Sequence, residues 1–90
     1  MKTFVIERDI PGASRLTSDE PRGIAVKSCD VITALGIPYN WITSYVAGDK
    51  IYCIHQAESA EAIRRHAREG GFPANEVTEV AAIIGPRSAT

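Results

Sequence analysis

The sequence predicts a single α+β domain of ferredoxin-like type, a β-α-β-β-α-β sandwich spanning residues 1–90. Two observations support this prediction. Four short segments rich in β-branched and aromatic residues alternate with two segments of helical period, in that order. A chain of 90 residues that is 44% hydrophobic holds one compact core. In this fold two helices cover one face of an antiparallel sheet, whose strand order is 4-1-3-2.

The first strand and the first helix are marked by the residues at their ends. Residues 3–8 (TFVIER) are β-rich and stop at a Pro-Gly turn signal. Thr17 and Glu20 have the spacing of a capping box, and a helical period then runs to Leu35. Gly36 is well placed to end this helix.

The second half of the chain predicts a hairpin, a helix and a last strand. Gly48-Asp49 is a two-residue hairpin signal between two aromatic, β-branched segments. Gly70-Gly71 ends the second helical pattern. The hairpin, the helix, the last strand and a frayed tail are expected at residues 40–56, 58–69, 77–84 and 87–90.

The predicted hairpin carries large apolar side chains on both faces. With the turn at Gly48-Asp49, Tyr45 pairs with Tyr52, and side chains alternate from there. One face is expected to present Ile42, Ser44, Val46, Ile51, Cys53 and His55, and the other Trp41, Thr43, Tyr45, Tyr52, Ile54 and Gln56. Because the helices cover only one face, the second face predicts a homodimer through the sheets. A monomer with a half-wet aromatic face is the alternative.

Charge and hydropathy exclude several classes of partner. Ten Lys and Arg against eleven Asp and Glu give a net charge of −1, which offers no basic surface to nucleic acid. No apolar run approaches the roughly 18 residues of a membrane span. The charged N-terminal segment lacks the apolar region of a signal peptide. We therefore expect a cytoplasmic protein whose two cysteines are free thiols.

Five side chains are candidate ligands of a divalent transition metal: Glu7, His66, Glu79, His55 and Glu58. The topology is expected to bring Glu7, His66 and Glu79 to one end of the sheet. His55, near Glu58, is expected at the opposite end, so the two histidines are not expected to share a site within one chain. Simpler interpretations are His66 as a cation at a helix C-terminus, and His55 with Glu58 as a solvated pair.

Four segments resemble a known family: residues 4–12 (FVIERDIPG), 41–46 (WITSYV), 49–55 (DKIYCIH) and 66–74 (HAREGGFPA). Together they are similar to the small bacterial proteins of domain of unknown function 4242. The resemblance implies a ferredoxin-like fold, a homodimer and nickel, because one member of that family is considered a nickel-binding protein with a role in nickel sequestration. Glu7 and His66 lie in the matching segments, whereas His55 stands where other members carry Tyr.

Three functions of different classes are compatible with these features. The first is non-catalytic binding of nickel or another divalent metal by a homodimer. The second is a small-molecule enzyme or binder with a pocket between sheet and helices, lined by Trp41 or Cys53 and gated by residues 70–75. Its acid–base groups would be Glu7, Tyr45, Tyr52 and His66. The third is a plain interaction module that works through its dimer surface.

Overall fold

The computed structural model describes residues 1–17 and 19–89. Its elements are β1 (Lys2–Asp9), α1 (Asp19–Leu35), β2 (Tyr39–Ala47), β3 (Lys50–Ala57), α2 (Ala60–Gly70) and β4 (Glu76–Glu79), with 3₁₀ turns at Ala13–Arg15 and Pro86–Ala89. The strands form one antiparallel sheet in the order β2-β3-β1-β4. The predicted ferredoxin-like fold and its strand order are therefore confirmed. In the described ranges, neither helix combines the length and the apolarity that crossing a bilayer requires.

The last strand is shorter than predicted. β4 ends at Glu79, which pairs with Phe4, and Val80 adds a single hydrogen bond to the Thr3 carbonyl. Because β1 begins at Lys2, residues beyond 80 run past the end of their neighbouring strand. The apolar run to residue 84 therefore finds no partner. Ser18 of the predicted helix start and Thr90 of the predicted tail lie outside the described residues.

The core lies between the sheet and the helices. Alternate residues of β1, Phe4 and Ile6, point to the helices together with Cys53 of β3. Ile63 of α2 and Leu35 at the end of α1 close the layer from the other side. Strand alternation thus buries one face of the sheet under α2 and the last turns of α1.

A β-bulge in β2 moves Trp41 to the helix-facing side of the sheet, contrary to the prediction. The hairpin register is as expected near the turn, where Tyr45 lies opposite Tyr52. The register then shifts between Trp41 and Thr43, so Trp41 pairs with His55. A bulge adds one residue to one strand and reverses the alternation beyond it. Trp41 and His55 therefore share a face.

The opposite face of the sheet keeps its large side chains partly exposed. Val5, Tyr52 and Ile54 are half-buried there, and Tyr45 is 62% exposed. This surface, which we call the open face, has the mixed aromatic and aliphatic character that the sequence predicted.

Candidate functional site

A cavity of about 490 Å³ lies between the first half of α1 and the β2–β3 hairpin. α1 buries only Ser28 and Leu35, so its N-terminal turns stand away from the sheet and leave this space. The apolar walls include Leu16, Ile24, Trp41, Val46, Ile51 and Phe72. Both the volume and the apolar character are typical of small-molecule sites.

Six buried polar side chains gather beside the cavity, and we call them the polar cluster. Its members are Arg8 of β1, Ser28 of α1, Tyr39 of β2, Cys53 and His55 of β3, and His66 of α2. All but Tyr39 line the cavity itself. Five of the six main elements therefore converge on one place, each with a polar group in a position that usually holds an apolar one.

Arg8 is the charged member of the cluster. Strand alternation places it on the same face as Phe4 and Ile6, and only 4% of its surface is exposed. Its Nε donates to the Cys53 sulfur at 3.3 Å, and its Nη1 donates to the main-chain carbonyl of Pro73. The guanidinium carbon lies 5.6 Å from the centre of the Phe72 ring, within the range of a cation–π contact.

Cys53 accepts a second hydrogen bond, since the hydroxyl of Ser44 donates to its sulfur at 3.0 Å. Ser44 in turn accepts a hydrogen bond from the indole nitrogen of Trp41 at 2.9 Å. Two consecutive hydrogen bonds thus connect Trp41, at the bulge of β2, through Ser44 to the Cys53 sulfur of β3. These bonds hold the Trp41 ring in the cavity wall.

His55 is buried, with 1% of its surface exposed, and its Nδ1 shares a hydrogen bond of 2.5 Å with the Tyr39 hydroxyl. Burial, together with the nearby His66 and Arg8, lowers the pKa of His55 to about 3. Burial also raises the pKa of the Tyr39 hydroxyl above its ordinary value. At neutral pH this pair is therefore an uncharged imidazole bonded to an intact phenol.

His66 is also 1% exposed, and its Nε2 lies 3.0 Å from the Ser28 hydroxyl. The ring is stacked on Tyr39 and on Phe72, with ring centres 5.1 and 5.5 Å apart. Its Nδ1 is buried with no hydrogen-bond partner among the described residues. Burial, and then the charge of Arg8, lower the pKa of His66 to about 4, so this imidazole too is neutral.

The end of α2 positions Phe72 against His66. Gly71 adopts a left-handed conformation with φ of 69°, which favours glycine. The Phe72 N–H then donates to the Ala67 carbonyl at 2.9 Å and closes the helix end. The chain reverses there, and the Phe72 ring reaches the cavity wall.

The prediction that the two histidines lie at opposite ends of the sheet is wrong, because their ring centres are 5.2 Å apart. α2 starts three residues after β3 and runs back over the sheet. By His66 it has travelled roughly 9 Å, at about 1.5 Å per residue, which brings it back over His55. The interpretations of His66 as a helix-end cation and of His55 as a partner of Glu58 are also wrong, since both rings are buried.

The expected convergence of Glu7, Glu79 and His66 does not occur. Glu7 alternates with Arg8 and lies on the open face, where it forms an ion pair with Lys50 at 3.6 Å. Glu79 is the last residue of β4 rather than its start, so it pairs with Phe4, three residues from Glu7 along β1. Glu58 is exposed in the loop before α2.

The polar cluster does not fit a divalent metal. Across residues 1–17 and 19–89, no group of three or more His, Cys, Asp and Glu side chains is placed to hold a metal ion. The buried guanidinium of Arg8 among the same side chains also opposes a second cation. A metal-ligand role for the five predicted residues stays a prediction, and of the five only Glu7, Glu58 and Glu79 lie outside the lining of this cavity.

Arg8, Ser28 and Tyr39 were not among the predicted functional residues. A signal for Arg8 was present, since it continues the inward alternation of Phe4 and Ile6 in β1. Ser28 follows Ile24 by four residues, a spacing that places both on one side of the first helix, but a serine there carries no signal of a site. Tyr39 carries no signal of its own, because it follows a proline at the margin of the predicted strand.

The sequence profile described as "Nickel responsive protein SCO4226-like" matches residues 4–80. The chain belongs to this family. The family resemblance predicted from the four sequence segments is thereby confirmed. The match spans β1 to β4, and so includes the whole polar cluster.

A solved structure shares the fold. The crystal structure of SCO4226 from Streptomyces coelicolor A3(2) superposes with a TM-score of 0.76 at 24% sequence identity. The alignment covers 91% of this chain and 99% of that one. At this identity the likeness shows the fold alone. Among curated proteins no match was found.

Proposed function

We propose that this protein binds a small organic molecule in the cavity between α1 and the β2–β3 hairpin. One observation carries the proposal: an apolar cavity of about 490 Å³ opens beside a buried polar cluster. A fold of this size usually fills the space between helices and sheet with apolar side chains. Apolar walls with a few convergent polar groups are instead the ordinary composition of a ligand pocket.

The polar cluster gives such a ligand several orienting contacts. The imidazoles of His55 and His66 and the hydroxyl of Ser28 line the cavity as neutral donors and acceptors. The Trp41 and Phe72 rings supply flat apolar walls on which an aromatic or aliphatic body can pack.

A neutral probe tests this proposal without invoking charge. Naphthalene-2-carboxamide is titrated into ¹⁵N-labelled protein, and amide shifts are followed by NMR. We expect saturable shifts at residues of α1 and the hairpin. Ile24→Trp, which fills the cavity wall, should weaken binding at least about tenfold. Val26→Trp is the matched control, because Val26 lies on the same helix, is exposed and is not part of the wall. Equal binding by both variants, or no saturable shift, would contradict the proposal.

Nickel binding by a cytoplasmic, non-catalytic homodimer is the second candidate. The description of the matched family supports a nickel-related role. Of the five predicted ligands, the buried histidines are out of reach of a surface metal, whereas Glu7, Glu58 and Glu79 are accessible. Carboxylates on the surface bind a metal strongly only when several meet. Glu7 lies on the open face, so a second copy packed there would add its own Glu7 carboxylate, whereas Glu79 pairs with Phe4 and lies on the helix side of the sheet.

Calorimetric titration of Ni²⁺ into metal-free protein, with the molar mass followed by ultracentrifugation, tests this candidate. We expect heat at micromolar Ni²⁺, a dimeric mass, and weaker binding in Glu7→Gln. Glu61→Gln is the control, since Glu61 is an exposed acid that pairs with Arg68 on α2. A monomer that takes up no Ni²⁺ below millimolar concentration would rule the candidate out.

A further inference from the structure

Arg8 is a buried cation that forms no ion pair with a carboxylate of residues 1–17 and 19–89. The ion pairs in the described part of the chain involve Lys2, Lys50 and Arg68, and none involves Arg8. With 4% of its surface exposed, its guanidinium has lost most of its hydration. A buried charge is unfavourable unless an opposite charge or a full set of hydrogen bonds compensates it. Among the described residues, no carboxylate compensates this buried positive charge.

The hydrogen bonds of Arg8 leave much of the guanidinium unused. A guanidinium carries five N–H donors, and two of them are engaged, by the Cys53 sulfur and the Pro73 carbonyl. Nη2 has no acceptor among residues 1–17 and 19–89, and Arg8 lines the cavity. A planar fork of donors is the geometry that recognises a carboxylate.

The remainder of the cavity supplies no negative charge. Its described lining contains no Asp and no Glu. The two histidines are neutral at pH 7, because burial lowers their pKa values. A second cation lies just outside, where the Lys27 ammonium is 5.8 Å from the centre of the Phe72 ring. The electrostatic potential in the cavity is therefore positive, and only an occupant of opposite charge balances it.

The walls define the rest of the occupant. Ile24, Val46 and Ile51 are aliphatic, and Trp41 and Phe72 add flat ring surfaces. A bare inorganic anion would leave most of this surface uncovered. A molecule with one anionic end and an apolar body would cover the walls and compensate Arg8 at the same time.

We infer that the cavity binds an organic monoanion, whose carboxylate pairs with Arg8 and whose apolar body packs against Trp41, Ile24 and Phe72. This inference rests on the proposed small-molecule function and names its ligand class. Arg8 acts as the charge-recognition residue, and Ser28 places a neutral hydroxyl in the same lining. Phe72 positions the guanidinium through the cation–π contact.

Three probes with one apolar body test the inference: naphthalene-2-carboxylate, naphthalene-2-carboxamide and 2-naphthylmethylammonium. Each is titrated into the unmodified protein at pH 7 and followed by NMR. A charge-assisted hydrogen bond should make the carboxylate bind about ten- to a hundredfold more tightly than the carboxamide. The ammonium should bind most weakly. This comparison needs no variant, so it stands even if Arg8 is required for folding.

Two variants then locate the charge. Arg8→Gln should bring the carboxylate and the carboxamide to the same affinity, whereas Lys27→Gln, which removes the neighbouring cation, should leave the preference within about threefold of its original value. Equal affinity of the carboxylate and the carboxamide for the unmodified protein would overturn the anion assignment and leave the proposed function standing. Failure of all three probes to bind would overturn both.

Discussion

The two helices cover the same face of the sheet in different ways. α2 spans 11 residues and buries five of them, Ala62, Ile63, His66, Ala67 and Gly70. α1 spans 17 residues and buries two, Ser28 and Leu35. At the start of α2 the Ser59 hydroxyl accepts a hydrogen bond from the Ala62 N–H, and the glycine after each helix, Gly71 and Gly36, is in the left-handed conformation. The shorter helix is thus the better anchored.

The difference suggests a division of roles, in which α2 contributes mainly to stability and the first half of α1 borders the proposed binding cavity. Helices in proteins are stabilised mainly by the face they bury, so α2 carries the packing of the core. The first half of α1 gives up that packing, and the space it leaves is the cavity. A segment with few buried contacts is also the one that opens most readily, and such opening would admit the proposed ligand.

Acidification should have the largest effect, because it acts on the two histidines buried between α2 and the sheet. The pKa values of His55 and His66 are lowered to about 3 and about 4 in the folded chain, against about 6.5 when unfolded. Well above pH 6.5 neither state is protonated and stability should be constant. Below it the unfolded chain binds two protons that the folded chain excludes, so stability falls by up to about 2.7 kcal/mol per pH unit, or about 4 kcal/mol by pH 5.

Urea unfolding at pH 8, 7, 6 and 5 measures this dependence. In His66→Gln, one of the two titrating groups is gone, and the slope below pH 6.5 should be about half as steep. A stability that does not change between pH 7 and 5 would show that the histidines are not held neutral.

Truncation of an apolar side chain should give the next largest effect, and it should destabilise the protein more in α2 than in α1. Ile63 of α2 is fully buried, so Ile63→Ala should lower the free energy of unfolding by about 2–5 kcal/mol. Ile24 of α1 lies on the cavity wall and is 36% exposed, and Ile24→Ala should cost less than about 1 kcal/mol. Urea unfolding at pH 8 measures both. Equal losses would mean that α1 is packed as tightly as α2.

A methyl group added to each helix should have effects of opposite sign. In Gly70→Ala of α2, the new carbon would lie 2.6 Å from Cδ2 of Phe72, whose ring is stacked on His66. We expect a loss of about 1–3 kcal/mol. Gly23 of α1 has nothing within 4 Å of the added carbon, so Gly23→Ala should gain up to about 1 kcal/mol from helix propensity. Thermal unfolding of both variants decides the signs, and a stabilised Gly70→Ala would contradict the tight contact.

Removal of a helix cap should give the smallest effect. Ser59→Ala deletes the side-chain acceptor at the start of α2 and should cost about 1 kcal/mol. Thr17 precedes α1 and uses its main-chain N–H to bond the Glu20 carboxylate. Thr17→Ala keeps that bond, and its free energy of unfolding should stay within about 0.5 kcal/mol of the original. A larger loss of free energy of unfolding in Thr17→Ala than in Ser59→Ala would contradict the expectation that the start of α2 contributes more to stability than the start of α1.

Sequence signals were enough for the order of elements, the strand order and the part of the hairpin register that lies next to the turn. Gly48-Asp49 placed Tyr45 opposite Tyr52, because a two-residue turn allows only one pairing register of the strands beside it. The glycine pair at residues 70 and 71 marked the end of α2 correctly. These features depend on residues close in the chain, whose preferences act without the rest of the fold.

The candidate site was harder to predict, because its members come from five elements. Cys53 and Trp41 were expected to line a pocket between sheet and helices, and both line the cavity. Trp41 was nevertheless assigned to the other face, since one bulged residue in β2 reverses the alternation and no local pattern announces it. The meeting of His55 and His66 depends on how far α2 runs back over β3, which periodicity does not specify.

Alternation, turn chemistry and composition therefore determined a ferredoxin-like domain with an apolar second face, and similarity of four segments determined its family. Tertiary structure alone decided that the first half of α1 stands off the sheet and that Arg8 is buried without an ion pair to any carboxylate of the described residues. The physical reason is that burial and charge compensation depend on which residues are neighbours in three dimensions. These neighbours come from distant parts of the chain, and the sequence around each of them gives no sign that they will meet.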